Sequence, residues 1–190
     1  GTFWGCSSLT SLDVSAWTTS AVTNTSNMFR GCTGLTALDI DSFDMADVTT
    51  INAMFSGCSN ITALDVSAWV IDASCTNCGA AFYQCSGLST INISGWDMTN
   101  VTTTSYMFGS CSGLDGTIVM PSTLKVCQDQ FATGCSGIDQ WNFYPTTQPT
   151  TSGTPFGSYA KPLHVPTGST SYTTAPWTTT TIFSSITKDL

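Results

Sequence analysis

The side chains able to do chemistry in this chain are few and regularly placed. Nine cysteines include one Cys-x-x-Cys, Cys75 and Cys78, a spacing that suits a redox pair or half of a metal site. A complete site of that kind needs more ligands, and the chain offers one histidine, His164, and no second Cys-x-x-Cys. Carboxylates recur at Asp13, Asp39 and Asp65; Asn92 continues the series, with Asp41 beside it among Ser15, Ser67 and Ser94. On one face, at the ~4.8 Å spacing of neighbouring strands, these groups repel one another, which favours a cation, a basic ligand or hydrogen-bond donors alongside. The functional reading is a stripe on a concave face that binds a basic partner or takes Ca²⁺; the sequence points to no other cofactor. The plainer reading is a solvated column whose Asp side chains bond neighbouring backbone and Ser hydroxyls; both stay open here.

Catalysis finds little support. Serine and threonine abound, but a nucleophilic hydroxyl needs a base beside it, and His164 stands without a motif around it. No glycine-rich phosphate loop follows a strand pattern. The expectation is a protein that is not an enzyme.

What must position these residues is a repeat. Cys6, Cys32, Cys58, Cys85, Cys111 and Cys135 stand 26, 26, 27, 26 and 24 residues apart, and Phe3, Phe29, Phe55, Phe82, Phe108 and Phe131 keep step ahead of them. A fixed period of this length predicts a solenoid with one structural unit per turn. Within a turn, Leu12 and Val14 alternate with Ser11, Asp13 and Ser15, which predicts a short strand with one buried face. Leu38 and Ile40, Leu64 and Val66, and Ile91 and Ile93 repeat that pattern, and the strands should pair in parallel, one per turn. The return half, Val22 to Phe29, Val48 to Phe55 and Val101 to Phe108, spaces its apolar residues for a short helix or helical turn on the opposite side.

The repeat also assigns most cysteines. Ladder thiols at equivalent positions point the same way, so bonding neighbours would distort the stack; they read as small buried core residues, with some disulfides as the alternative. Cys75, Cys78 and Cys127 fall off the ladder into slots held elsewhere by Val22, Val48 and Val101 or by Thr25, Ile51 and Thr104, and they too read as structural. Trp17, Phe43, Trp69 and Trp96 recur as a column that closes one edge of the core, or else forms an exposed platform for carbohydrate.

Composition narrows the partners. Of 190 residues 8% are charged, the net charge is -8, and only four residues are basic, which opposes nucleic-acid binding. No apolar run approaches the roughly 18 residues of a membrane-spanning helix, and residues 1–20 lack a secretory signal pattern, so no membrane insertion is expected.

Residues 22–40 (Val-Thr-Asn-Thr-Ser-Asn-Met-Phe-Arg-Gly-Cys-Thr-Gly-Leu-Thr-Ala-Leu-Asp-Ile) and 51–66 resemble the BspA-type leucine-rich repeats of microbial surface proteins. The resemblance covers residues 1–143, about five to six turns with the first incomplete, and residues 121–138 resemble a shorter subtype of the same family. Residues 144–190 resemble a closing cap, in which a Val165-Pro-Thr-Gly strand and a helix bearing Tyr172 and Trp177, followed by Ile182 and Phe183, cover the last turn. The resemblance implies a secreted, cell-surface or virion-surface domain that adheres to a protein or glycan on another cell or matrix. The alternative is a structural component of a surface layer, fibre or virion. It would act through lateral or end-to-end packing, with copies of itself or an upstream domain at the N-terminal end, where Gly1-Thr-Phe3 begins partway through a turn.

Overall fold

A computed structural model of the chain describes residues 1–145, 147–157, 162–165, 167, 172 and 185–188. The described residues include six strands: β1 (Gly116–Met120), β2 (Val126–Cys127), β3 (Ile138–Phe143), β4 (Thr150–Thr151), β5 (Pro162–Val165) and β6 (Ser185–Lys188). They form one parallel sheet in the order β1-β3-β5-β6 and a second parallel pair, β2-β4.

Ahead of Gly116 the pairing is also parallel but reduced to single bridges, Asn24 to Thr50 to Asn77 to Thr103 on one side and Ala37 to Ala63 to Thr90 on the other. Local side-chain chemistry explains why the strands expected around Asp39, Asp65 and Asn92 are this short. Asp39 Oδ1 accepts the Asp41 N–H, Asp65 Oδ1 the Ser67 N–H and Asn92 Oδ1 the Ser94 N–H, so each side chain draws its own backbone into a turn. The chain turns again at once, with Phe43 N–H on Ile40 O and Trp69 N–H on Val66 O.

The return segment corrects the expectation of a helix. Among the described residues there is no helix; Val22 to Cys32 and its counterparts are consecutive β-turns. Met28 N–H bonds Thr25 O and Cys32 N–H bonds Phe29 O, closing two turns whose third residues, Asn27 and Gly31, have φ of 57° and 72°. The same pair of left-handed residues recurs at Ala53 and Gly57, Ala80 and Gln84, and Tyr106 and Ser110, as a turn with positive φ at its third position requires. Between these local bonds the intervening N–H groups reach the next repeat: Thr25 to Thr50 O, Asn27 to Asn52 O, Phe29 to Met54 O and Gly31 to Ser56 O, at 2.7–3.2 Å. Helix would have kept all of those bonds inside one segment. The β-branched and turn-forming residues of Val-Thr-Asn-Thr-Ser-Asn favour the alternating scheme, which ties each repeat to its neighbour.

The core is a set of columns. Phe29, Phe55, Phe82 and Phe108 are fully buried and stack face to face at 5.5–5.8 Å, and Trp17, Phe43, Trp69 and Trp96 form a second stack at 6.0–6.4 Å. The indole N–H of Trp69 donates to Ile40 O and that of Trp96 to Val66 O, so from Phe43 onward this column is a buried edge and not a platform open to sugar, while Trp17 is half-buried. From Phe108 to Phe131 the rings switch to an edge-to-face contact at 87°, where the repeat shortens and β1 begins. Repeats approach closely where glycine follows the ladder cysteine by two: a Cβ on Gly113 would lie 2.4 Å from Ser86 O.

Of the expected cap, β5 and β6 extend the β1-β3 sheet and Tyr172 is buried with its hydroxyl donating to Pro145 O. Trp177, Ile182 and Phe183 lie outside the described residues.

Candidate functional site

The carboxylate column is engaged locally. Asp13 accepts Ser15 N–H at 3.0 Å and Ser15 Oγ–H at 2.7 Å; Asp65 does the same with Ser67 at 2.9 and 2.6 Å. Asn92 makes the same two bonds to Ser94, at 3.1 and 2.8 Å, so the position works without a charge. The Ser15 and Ser67 hydroxyls and N–H groups hold the carboxyls of Asp13 and Asp65 below the usual range. All five residues of the column, Asp13, Asp39, Asp41, Asp65 and Asn92, are exposed. Asp65 and Asn92 border one hollow of about 350 Å³ together with Leu64, Ser67 and Thr90. Among the described residues no three His, Cys, Asp or Glu side chains converge as metal ligands.

The cysteine ladder is buried from Cys32 to Cys135, Cys6 is exposed, and all nine cysteines are free thiols. Each thiol donates backwards by one repeat: Cys32 to Phe3 O, Cys58 to Phe29 O, Cys85 to Phe55 O, Cys111 to Phe82 O and Cys135 to Phe108 O, at 2.9–3.1 Å. Burial pushes Cys58 and Cys135 up to about 12 and also raises Cys85, Cys111 and Cys127. These thiols are core donors, remote from nucleophilic chemistry. Cys75 and Cys78 are buried with their sulfurs 3.7 Å apart in a shared thiol hydrogen bond, which lowers Cys75 and raises Cys78. His164 sits half-buried in β5, paired through its backbone register with Asn142 of β3 and Thr187 of β6.

A larger concavity lies elsewhere. It occupies about 600 Å³ and is bordered by Trp4, Arg30, Gly31, Ser56, Gly57, Tyr83, Gln84 and Ser110, with Thr33, Ser59 and Ser86 along its other margin. A second hollow of about 350 Å³ shares Arg30, Ser56 and Tyr83 with it and extends to Asn52, Ala80 and Tyr106. Its key residues come from one column: the position between the ladder Phe and the residue before Cys reads Trp4, Arg30, Ser56, Tyr83 and Gly109. Sequence reasoning passed over this column because it carries no periodic type. The signal was that irregularity itself, one position that changes chemistry at every repeat while Phe and Cys on either side stay constant.

The backbone explains why the column is free to vary. Gly5 N–H bonds Arg30 O, Gly31 N–H bonds Ser56 O, Gly57 N–H bonds Tyr83 O and Gln84 N–H bonds Gly109 O, all at 2.7–2.8 Å. The main chain of these residues holds the stack, whatever side chain projects. Arg30 stacks its guanidinium 5.3 Å over the Trp4 ring and donates to Asn27 Oδ1 at 3.2 Å. Tyr83 meets Tyr106 edge to face at 5.4 Å, and Gln130 donates to the Tyr106 hydroxyl.

Buried columns, parallel pairing between repeats and one variable surface column define a repeat protein whose surface chemistry is uncoupled from its core. A family profile described as "Mycoplasma protein of unknown function, DUF285" matches residues 1–126, well over half of the chain, and the chain belongs to that family. No curated protein and no solved structure matches it.

Proposed function

We propose that this chain is a non-catalytic extracellular surface domain, a solenoid of BspA-like leucine-rich repeats over residues 1–143 with a cap over 144–190, that mediates adhesion by binding a protein or glycan. The observation that carries the reading is the groove along Trp4, Arg30, Ser56 and Tyr83. The side-chain type of these residues changes from repeat to repeat while their main chain keeps the same bond to the neighbouring repeat. Parallel bonding at every repeat supports the solenoid, and the sequence resemblance supports the surface location.

The test is binding of the purified domain to cell surfaces, matrix proteins and a glycan panel, compared with Tyr83→Ala and with Ser86→Arg, which places a long side chain at the exposed margin of the groove. Binding that falls in both variants while thermal unfolding stays unchanged supports adhesion through this face. Binding that both variants retain in full removes the groove from the function.

A further inference from the structure

We infer, resting on the binding role just proposed, that the groove takes a carboxylated saccharide, with Arg30 on the carboxylate and the Trp4 and Tyr83 rings against the apolar C–H faces of the sugar rings. The argument begins with charge. All twelve acidic residues are aspartates and the net charge is -8, yet no aspartate borders either hollow, and the chain's single arginine sits where the two hollows meet. The partners of that arginine, the Trp4 ring and Asn27 Oδ1, are both neutral. A guanidinium carries five donors in a planar fork that matches a carboxylate, and one contact to Asn27 leaves its capacity for a bidentate pair. At physiological ionic strength the screening length is about 8 Å, so the guanidinium is the charge felt first in hollows whose lining holds no aspartate.

The remaining lining selects a sugar over a peptide. An extended peptide adds to a fold through its main chain, but the N–H and C=O groups on the groove floor are already bonded between repeats, from Gly31 to Ser56, Gly57 to Tyr83 and Gln84 to Gly109. What the floor and margins still present are side-chain hydroxyls, the Gln84 amide and ring faces, the complement of a ligand rich in hydroxyls with apolar faces. Trp4 is 62% exposed. Trp4 and Tyr83 stand three repeats apart, about 14 Å at the ~4.8 Å spacing of neighbouring strands, room for a short oligosaccharide with Ser56 beneath its centre.

Carboxylated sugars occur as sialic acid at chain ends and as uronic acid along polymers, and the two are separated by probe. The experiment is calorimetric and NMR titration of the domain with sialyllactose, trigalacturonic acid, neutral lactose and maltotriose, and an aspartate-rich peptide. Binding of one or both acidic sugars is expected, at least tenfold tighter than either neutral one, weakened tenfold or more by Arg30→Gln and by Tyr83→Ala. Arg30→Lys should recover part of the loss. Neutral sugars bound equally well, or an Arg30→Gln variant with unchanged affinity, overturn the carboxylate assignment and leave the groove as the adhesive face. Preference for the acidic peptide, or no saccharide binding at millimolar concentration, overturns the saccharide assignment. The adhesive reading then stands or falls separately on whether Tyr83→Ala and Ser86→Arg reduce cell or matrix binding.

Discussion

The Cys58 thiol donates to the carbonyl oxygen of Phe29 at 3.0 Å, and the same oxygen accepts the backbone N–H of Cys32 at 3.1 Å. One carbonyl thus closes a turn in its own repeat and ties down the side chain of the next. The bond requires the proton, so the ladder is a ladder of thiols and neither thiolates nor disulfides would satisfy it.

Stability should therefore fall in alkali. The ladder thiols Cys58 and Cys135 are pushed up to about 12 in the fold from 9.0 in a free chain, so above pH 9.0 the unfolded state loses protons that the native state keeps. Their stabilising contribution is complete below pH 9.0 and is lost as pH rises toward 12. Cys75, lowered by its hydrogen bond with Cys78, works in the opposite direction but is outnumbered. A Tm that is flat from neutral pH to about 9 and then drops, with a shallower drop in the Cys58→Ala, Cys135→Ala variant, is the expected result; a Tm unchanged about one unit above 9.0 contradicts it.

Gly113 should tolerate no side chain. Its Cβ would sit 2.4 Å from Ser86 O and 3.1 Å from Leu88 O, backbone atoms that hold the previous repeat. Gly113→Ala is expected to cost about 1–3 kcal/mol by chemical unfolding. Gly95→Ala, where nothing lies within 4 Å, should be neutral and serves as its control.

Ala80 carries the opposite expectation. It closes the Cys78–Ala81 turn at φ 52°, a conformation that costs an L-residue about 1–2 kcal/mol, against roughly 0.5–1 kcal/mol of extra chain entropy for glycine. Ala80→Gly should stabilise the domain by about 0.5 kcal/mol. A loss of stability would mean that the turn does not strain alanine.

The Asp65 turn predicts a split between two variants. Asp65→Asn keeps an acceptor for Ser67, as Asn92 does for Ser94, and should leave Tm unchanged; Asp65→Ala removes it and should lower Tm. Equal losses in both would show that the charge matters and would restore the carboxylate stripe as a candidate site.

Cys75 and Cys78 occupy slots that hold Val101 and Thr104 one repeat later, all four buried. The double variant Cys75→Val, Cys78→Thr should fold with a change below about 1.5 kcal/mol, measured by thermal unfolding. A failure to fold would assign the pair a role beyond filling space.

Much of the fold is legible where one residue type answers one physical demand. The Phe, Cys and Trp columns are buried at every full repeat because each must meet its own kind above and below, and spacing alone displays that. The return segment was misread because Val, Met and Phe spaced by six and seven satisfy both a helix and a train of turns. The decision lies in φ at Asn27, Ala53 and Ala80, and neither alanine carries a sequence signal for a left-handed backbone. Asp13 and Asp65 were legible as a column, and bonding to the neighbouring Ser hydroxyls was one of its readings in the sequence; the coordinates add the partners, Ser15 and Ser67, and the distances. The groove was missed for the converse reason: Trp4, Arg30 and Tyr83 share a place and no chemistry, and a search for regularity discards them.

Because the carbonyls of Arg30, Ser56, Tyr83 and Gly109 serve the stack whatever their side chains, each repeat behaves as a movable type block. Inserting, deleting or exchanging a whole repeat would rewrite the order of aromatic, cationic and hydroxyl groups along the groove and leave the spine intact. On the binding role proposed above, recombination between repeats of such a gene would change what the groove binds.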